Sequence, residues 1–169
     1  MAEALDPAIP AEVDELAKRL LDEACARGLM LATAESCTGG LLASLLTDIP
    51  GASHAFERGF VTYTDDAKHE MLGVPRAILE TDGAVSEAAA RAMAEGALAG
   101  SRAQIAASVT GFTEGGPGEA GLVHFACACR DGPTRHQVGR FGDIGRAAVR
   151  IEALKVSLAM LQQALGETP

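Results

Sequence analysis

Residues 29–46 read LMLATAESCTGGLLASLL, and the fold follows from how this stretch changes character along its length. The apolar run Leu29–Thr33 predicts a short buried strand, and the polar, glycine-bearing turn Ala34–Gly40 comes directly after it. A helix then begins whose apolar face consists of Leu41, Leu42, Leu45 and Leu46. A strand, a sharp turn and a helix in direct succession form the unit from which α/β sheets are built.

The rest of the chain extends this pattern in both directions. Helices are predicted at residues 11–27, 65–72, 75–79, from Ser86 onward, and at 145–165, while strands are predicted at 56–63, 104–110, 122–129 and 134–139. The last two strands follow each other around the turn dipeptide Asp131-Gly132, which indicates a hairpin. Alternating elements followed by a hairpin predict a three-layer α/β domain with a mixed sheet.

Composition limits the possible functions. The chain has 169 residues, of which 48% are apolar, and a formal net charge of −9. This length is enough for one domain with its own core, and the negative charge argues against a nucleic-acid partner. No apolar run reaches the roughly 18 residues of a membrane span, and the acidic N-terminus lacks the apolar centre of a signal peptide.

Four cysteines are present without any CxxC pair, and no histidine lies at ligand spacing from them. This pattern predicts reduced, mostly buried thiols and no metal site. Reduced thiols together with the absence of an export signal predict a cytoplasmic protein.

The turn at residues 34–40 carries a candidate nucleophile. Ser36 is expected at the carboxyl edge of the first strand, where open α/β sheets place their sites. The backbone N–H groups that follow it open a helix and would attract an anion or an oxyanion. A purely structural interpretation stays open, in which Ser36 or Thr38 caps the helix and Gly39-Gly40 lets two backbones approach.

A second segment supplies partners for such a serine. Tyr63 is the only tyrosine of the chain and Lys68 is one of three lysines, and both lie where the predicted strand 56–63 meets the next helix. A lysine activates a serine if burial lowers its pKa, and a tyrosine can orient or relay the proton. Asp65, Asp66 and Glu70 would instead raise the lysine pKa, unless the side chain turns inward.

These residues belong to a set of motifs that stand in order along the chain. The set comprises AESCTGG (34–40), FERGFVTY (56–63), DAK (66–68), LGV (72–74), GAVS (83–86) and the arginines that open the last helix after Gly142-Asp143. Together they resemble the CinA C-terminal domain family, that is, stand-alone nicotinamide-nucleotide amidohydrolases of the PncC type. The resemblance covers about residues 10–165 of a single predicted domain, 1–169.

The resemblance implies a three-layer α/β/α fold and deamidation of nicotinamide mononucleotide to nicotinate mononucleotide and ammonia. It implies Ser36 as nucleophile, Lys68 as base and Tyr63 as the group that orients or relays the proton, with no metal or cofactor. It also implies a homo-oligomer. The residues that it implies for substrate binding are Glu35, Cys37, Thr38, Gly39, Gly40, Thr110, Gly111, Arg146 and Arg150.

One segment departs from the family pattern. The loop 111–121 is shorter, lacks the family's lysine, and carries Glu114 and Glu119. Since a nucleotide monophosphate needs a cationic or N–H-rich phosphate site, these changes bear on the substrate rather than on the chemistry. Two alternatives therefore stay open: an amidase for another small amide, and a CinA-like domain that binds a ligand without catalysis.

Overall fold

The computed structural model describes residues 9–116 and 118–169, so residues 1–8 of the predicted domain lie outside the described part. Within these ranges the chain forms six α-helices and five strands. The helices are α1 (Ala11–Arg27), α2 (Leu41–Asp48), α3 (Asp65–Leu72), α4 (Arg76–Thr81), α5 (Glu87–Ala99) and α6 (Arg146–Glu167). The strands are β1 (Leu31–Glu35), β2 (Phe56–Val61), β3 (Ile105–Gly111), β4 (Leu122–Cys129) and β5 (Arg135–Arg140).

The strands form one mixed sheet in the order β2-β1-β3-β4-β5. The strand β1 pairs in parallel with both β2 and β3, whereas β3, β4 and β5 are antiparallel to one another. Parallel pairing requires a crossover, and α2 and the helices α3 to α5 provide the two crossovers. The mixed sheet predicted from the element order is confirmed.

Two apolar clusters cover the two faces of the sheet. On one face α1, α2 and α6 pack against residues such as Leu31, Val109 and Phe125. On the other face α5, with the ends of α3 and α4, packs against the alanines of β1, β3 and β4. This arrangement is the three-layer α/β/α sandwich. In the described part of the chain, no helix is both long enough and apolar enough to cross a membrane.

The first strand begins and ends two residues later than the sequence pattern predicted. It includes Glu35, which pairs with Val61 on one side and Val109 on the other. The prediction placed Glu35 in the polar, glycine-bearing turn that follows the apolar run. Here the carboxylate receives hydrogen bonds from the start of α2, and the strand therefore continues through it.

The parallel strands bring their carboxyl ends to one edge of the sheet. The chain leaves β1 at Ser36, β2 at Thr62 and β3 at Phe112, and all three exits lie side by side. Loops at this edge are where α/β sheets bind ligands. The candidate residues predicted from separate parts of the sequence thus meet at one place.

Candidate active site

Ser36 is held where the hydrogen-bond ladder of the sheet ends. Its amide N–H donates to Val109 O at 3.0 Å, and the Thr62 N–H donates to Glu35 O at 2.8 Å. These two bonds extend the β1–β3 and β2–β1 pairings by one residue, and they fix the positions of Ser36 and Thr62 at the carboxyl edge. The serine is mostly buried, and it forms part of a cleft.

Lys68 turns inward and contacts this serine. It lies in the first turns of α3, whose N-cap residue Thr64 accepts a hydrogen bond from the Ala67 N–H at 3.1 Å. The lysine is only 1% exposed, and its Nζ lies 3.0 Å from Ser36 Oγ and 3.0 Å from the carbonyl oxygen of Thr62. The geometry needed for a serine–lysine pair is therefore present.

Burial lowers the pKa of Lys68 below its usual value. Asp65 opposes the shift with its negative charge, as the sequence suggested for the acids around this lysine, but the loss of water around Nζ has the larger effect. The shift increases the fraction of neutral amine near pH 7. Only the neutral amine can accept the proton of Ser36.

Cys37, the neighbour of Ser36, does not compete as a nucleophile. Burial raises the pKa of its thiol to about 12, so the thiol stays protonated at neutral pH. Because only a thiolate attacks a carbonyl carbon efficiently, the Cys37 thiol is a poor nucleophile, and Ser36 stays the candidate nucleophile of this turn.

The turn after Ser36 offers backbone N–H groups. Gly39 and Gly40 have φ angles of +62° and +98°, a left-handed conformation that favours glycine. In the described part of the chain, the backbone N–H groups of Cys37, Thr38 and Gly40 have no hydrogen-bond acceptor in another residue. An oxyanion next to Ser36 could accept hydrogen bonds from such groups.

Glu35 lies beneath this turn and not in the cleft. Its side chain is fully buried and accepts hydrogen bonds from Thr38 Oγ1 at 2.7 Å, from the Leu42 N–H at 2.8 Å and from the Ala43 N–H at 3.0 Å. The carboxylate thus caps α2 and holds Thr38 under the turn. The contacts that the structure shows for the Glu35 side chain hold the turn in place. The substrate contact predicted for Glu35 stays a prediction.

In the described part of the chain, the remaining charged and aromatic candidates form no hydrogen bond with Ser36 or Lys68. Tyr63 is 68% exposed and lies at the mouth of the cleft, near Arg146. Arg150 donates from Nε to the carbonyl oxygen of Cys37 at 2.9 Å, and so it supports the outer side of the turn. Arg146 lines the cleft, but its guanidinium pairs with Glu114.

The cleft completes the site. It encloses about 280 Å³, just below the roughly 300–1,000 Å³ of small-molecule sites. Four of its residues were not predicted: Asp65, Ala84, Val85 and Thr113. Ala84 and Val85 belong to the GAVS motif, so the sequence contained a signal for these two residues. The cleft is lined by Ser36, Cys37, Tyr63, Asp65, Lys68, Ala84, Val85, Thr110, Gly111, Thr113 and Arg146.

Thr110 and Gly111 form the back of this cleft at the end of β3. The Thr110 hydroxyl donates to the carbonyl oxygen of Ala84 at 2.7 Å, which ties the loop before α5 to the sheet. A Cβ on Gly111 would lie 2.7 Å from the carbonyl oxygen of Leu122 and from a Val123 methyl group, so β4 leaves no room for a side chain. Both residues shape the cleft.

Comparison with known proteins identifies relatives over almost the whole chain. The family model of the CinA C-terminal domain matches residues 13–165. The chain is 47% identical over 147 residues to the nicotinamide-nucleotide amidohydrolase PncC of Enterobacter agglomerans, which covers 84% of this chain and 87% of that protein. It is 50% identical over 127 residues to a CinA-like protein of Akkermansia muciniphila, but that match covers 73% of this chain and 31% of the relative.

Several curated relatives are much longer than this chain, which spans only about a third of their length. Among solved structures, the competence/damage inducible protein CihA from Agrobacterium tumefaciens superposes with a TM-score of 0.90 at 48% identity. That superposition covers 94% of this chain and 98% of the other. The fold predicted for this sequence is therefore confirmed by an independent structure.

Proposed function

Since this chain belongs to the CinA C-terminal domain family, we propose that it is an amidohydrolase that deamidates nicotinamide mononucleotide through Ser36. The observation that carries the proposal is the 3.0 Å contact between Ser36 Oγ and the buried Nζ of Lys68 at the base of a cleft. The PncC relative supports the reaction class, because its name describes this activity.

In the first step Ser36 Oγ attacks the carboxamide carbon, and its proton passes to the neutral amine of Lys68. The Thr62 carbonyl accepts one amine hydrogen, which leaves the lone pair of Nζ free to face Ser36. The developing oxyanion accepts hydrogen bonds from the turn that follows Ser36. This step forms the Oγ–C bond and an N–H bond on Lys68. It breaks the O–H bond of Ser36 and the π bond of the carbonyl group.

The tetrahedral intermediate collapses when Lys68 returns the proton to the amide nitrogen, and ammonia leaves. A water molecule then attacks the ester and loses its proton to Lys68, which passes it to Ser36 Oγ as the C–Oγ bond breaks, so that the acid is released and the Ser36 hydroxyl is restored. Tyr63 contacts the substrate at the mouth of the cleft and orients or relays a proton. No step in this sequence needs a metal.

The experiment is ammonia release from nicotinamide mononucleotide by the wild type, Ser36→Ala and Lys68→Met. We expect each variant to lose about a thousandfold or more in kcat/KM, as for other covalent catalytic pairs. Ser53→Ala and Lys18→Ala change exposed residues of the same types and should keep wild-type activity. Equal activity of all five proteins would refute the proposed site.

We propose a small-molecule nucleotide as the ligand and a homo-oligomeric enzyme, both of which the family resemblance supports. We also propose a cytoplasmic location, which the cysteine pattern supports. Sedimentation of the purified chain tests the assembly, since a monomer at all concentrations would contradict it.

Release of ammonia from nicotinamide riboside but not from the mononucleotide would favour the alternative, an amidase for an unphosphorylated amide.

A further inference from the structure

The loop that departs from the family pattern reaches the cleft through one charged contact. Two cationic side chains line the cleft, Lys68 and Arg146. Lys68 is buried against Ser36, so Arg146 is the cation at the cleft mouth. Glu114 of the loop meets this arginine in a forked contact, with Oε2 3.0 Å from one terminal nitrogen and Oε1 3.3 Å from Nε. The guanidinium face that a ligand anion needs is thus already occupied.

The loop is folded in a way that holds Glu114 at this position. The Phe112 N–H donates to Leu122 O at 2.9 Å, and the Gly121 N–H donates back to Phe112 O at 2.8 Å, so the loop is closed at its base. The ring of Phe112 fills the space where a Cβ on Gly118 would lie only 2.2 Å away. Thr113, next to Glu114, is buried in the cleft wall.

We propose that Glu114 determines specificity, because its carboxylate competes with the anionic group of the substrate for Arg146. A phosphate that reaches this arginine must displace the carboxylate, and afterwards the two like charges stay close together. The pairing costs a substrate without an anionic group nothing. Wild-type protein therefore favours phosphorylated substrates less strongly than it would with an unpaired Arg146, and this inference rests on the proposed function for its substrate.

The second acidic residue of the loop provides a matched control. Glu119 pairs with Arg140 of β5, and neither residue lines the cleft. Glu119→Gln therefore removes the same charge from the same loop without freeing Arg146. Any effect that depends only on net charge or on loop stability will appear in both variants.

The kinetic test compares nicotinamide mononucleotide with its riboside. Because exposed ion pairs are weak, we expect Glu114→Gln to lower the KM for the mononucleotide by about three- to fivefold. The KM for the riboside and kcat should stay within about twofold of wild type, since the Ser36–Lys68 pair is untouched. Glu119→Gln should change neither KM, and Arg146→Gln should abolish the gain in the double variant.

A binding measurement separates failure of this inference from failure of the proposed function. Calorimetric titration with ribose 5-phosphate and with ribose needs no turnover. Glu114→Gln should bind the phosphate ester about three- to fivefold more tightly than wild type, with no change for ribose. If Glu114→Gln gains no affinity for the ester, or gains as much as Glu119→Gln, the competition does not exist. Ammonia release decides the proposed function separately.

Discussion

Lys68 combines two properties that rarely coexist in one side chain: it is almost fully buried, and it carries an ionisable amine. Its stem lies among the elements that form the cleft, and its amine has two oxygen partners, Ser36 Oγ and Thr62 O. Burial without a carboxylate partner disfavours the ammonium form. The chain thus maintains a lysine in an environment that keeps more of its amine neutral and able to accept a proton, at a cost to the stability of the fold.

The pH dependence of activity tests this interpretation of Lys68. Its pKa is lowered by burial, so the neutral, active amine forms at a lower pH than for an exposed lysine. We expect kcat/KM to rise with pH along a limb whose apparent pKa lies below the usual lysine value of about 10.4. The measurement is initial rates between pH 6 and 10.

Lys68→Arg serves as the comparison for this profile, because a guanidinium keeps its proton over the same range. We expect the variant to lose the rising limb together with most of its activity. A wild-type profile that is flat across this range would contradict the role of Lys68 as the base.

The turn between β1 and α2 shows how a single element positions the site. Glu35 ends the strand, and its carboxylate caps the helix that follows, so one buried side chain joins the two elements. The positive end of α2 favours the negative charge at this position. Ser36 and the N–H groups after it are held between these two anchored ends.

We expect Glu35→Gln to lower the free energy of unfolding by about 2–3 kcal/mol, because the amide places N–H donors against backbone N–H donors in a buried position. Urea denaturation followed by circular dichroism measures the change. Glu95→Gln, the same substitution at an exposed position of α5, should stay within about 0.5 kcal/mol of wild type. A similar loss in both variants would rule out the capping role.

Close packing of α5 against the end of α3 depends on a glycine. A Cβ on Gly96 would lie 1.9 Å from the carbonyl oxygen of Leu72, so the backbone of one helix rests directly on the other. We expect Gly96→Ala to destabilise the fold by about 2 kcal/mol or more, because one helix must shift. Thermal unfolding measures the effect.

Gly166→Ala makes the same change at a helical glycine of α6 with nothing within 4 Å of the added carbon. Alanine at this position should stabilise the fold by a few tenths of a kcal/mol, because its helix propensity is higher than that of glycine. The gain is reduced because the position lies near the helix end. If Gly96→Ala were as stable as Gly166→Ala, the close approach of α3 and α5 would not constrain the fold.

The sheet and α5 are tied together by polar contacts as well as by their shared core. His124 on β4 and His136 on β5 face each other with Nδ1 and Nε2 2.9 Å apart, and Glu87 of α5 lies 3.5 Å from His136 Nδ1. Burial lowers the pKa of both histidines, and their mutual repulsion when charged lowers that of His124 further. The pair thus favours the neutral form in the folded protein.

The stability of the fold should therefore fall in mild acid. The unfolded chain takes up protons first as pH drops below about 6.5, so the folded state loses stability from that pH downward until the lowered pKa values are passed. We expect His124→Gln with His136→Gln to reduce the loss of Tm between pH 7.5 and 5.5 by roughly 2–4 °C. His54→Gln, at an exposed position, should leave the loss unchanged.

The local pattern of the chain was sufficient to predict the mixed sheet, the order of its elements and the edge at which Ser36, Tyr63 and Lys68 collect. These features depend on the periods of strands and helices and on turn chemistry, which act over a few neighbouring residues. The pattern failed at Glu35, because the amides that stabilise its buried carboxylate come from the next helix.

What only the folded chain shows is the environment of each charged group. Lys68 contacts a serine 32 positions away, Arg150 supports a turn 113 positions away, and Glu114 occupies an arginine 32 positions away. The same lysine would be an ordinary surface cation if its side chain pointed outward among Asp65 and Asp66. Sequence identifies the groups, but burial and distance set their pKa values and partners, and both depend on atoms contributed by remote segments.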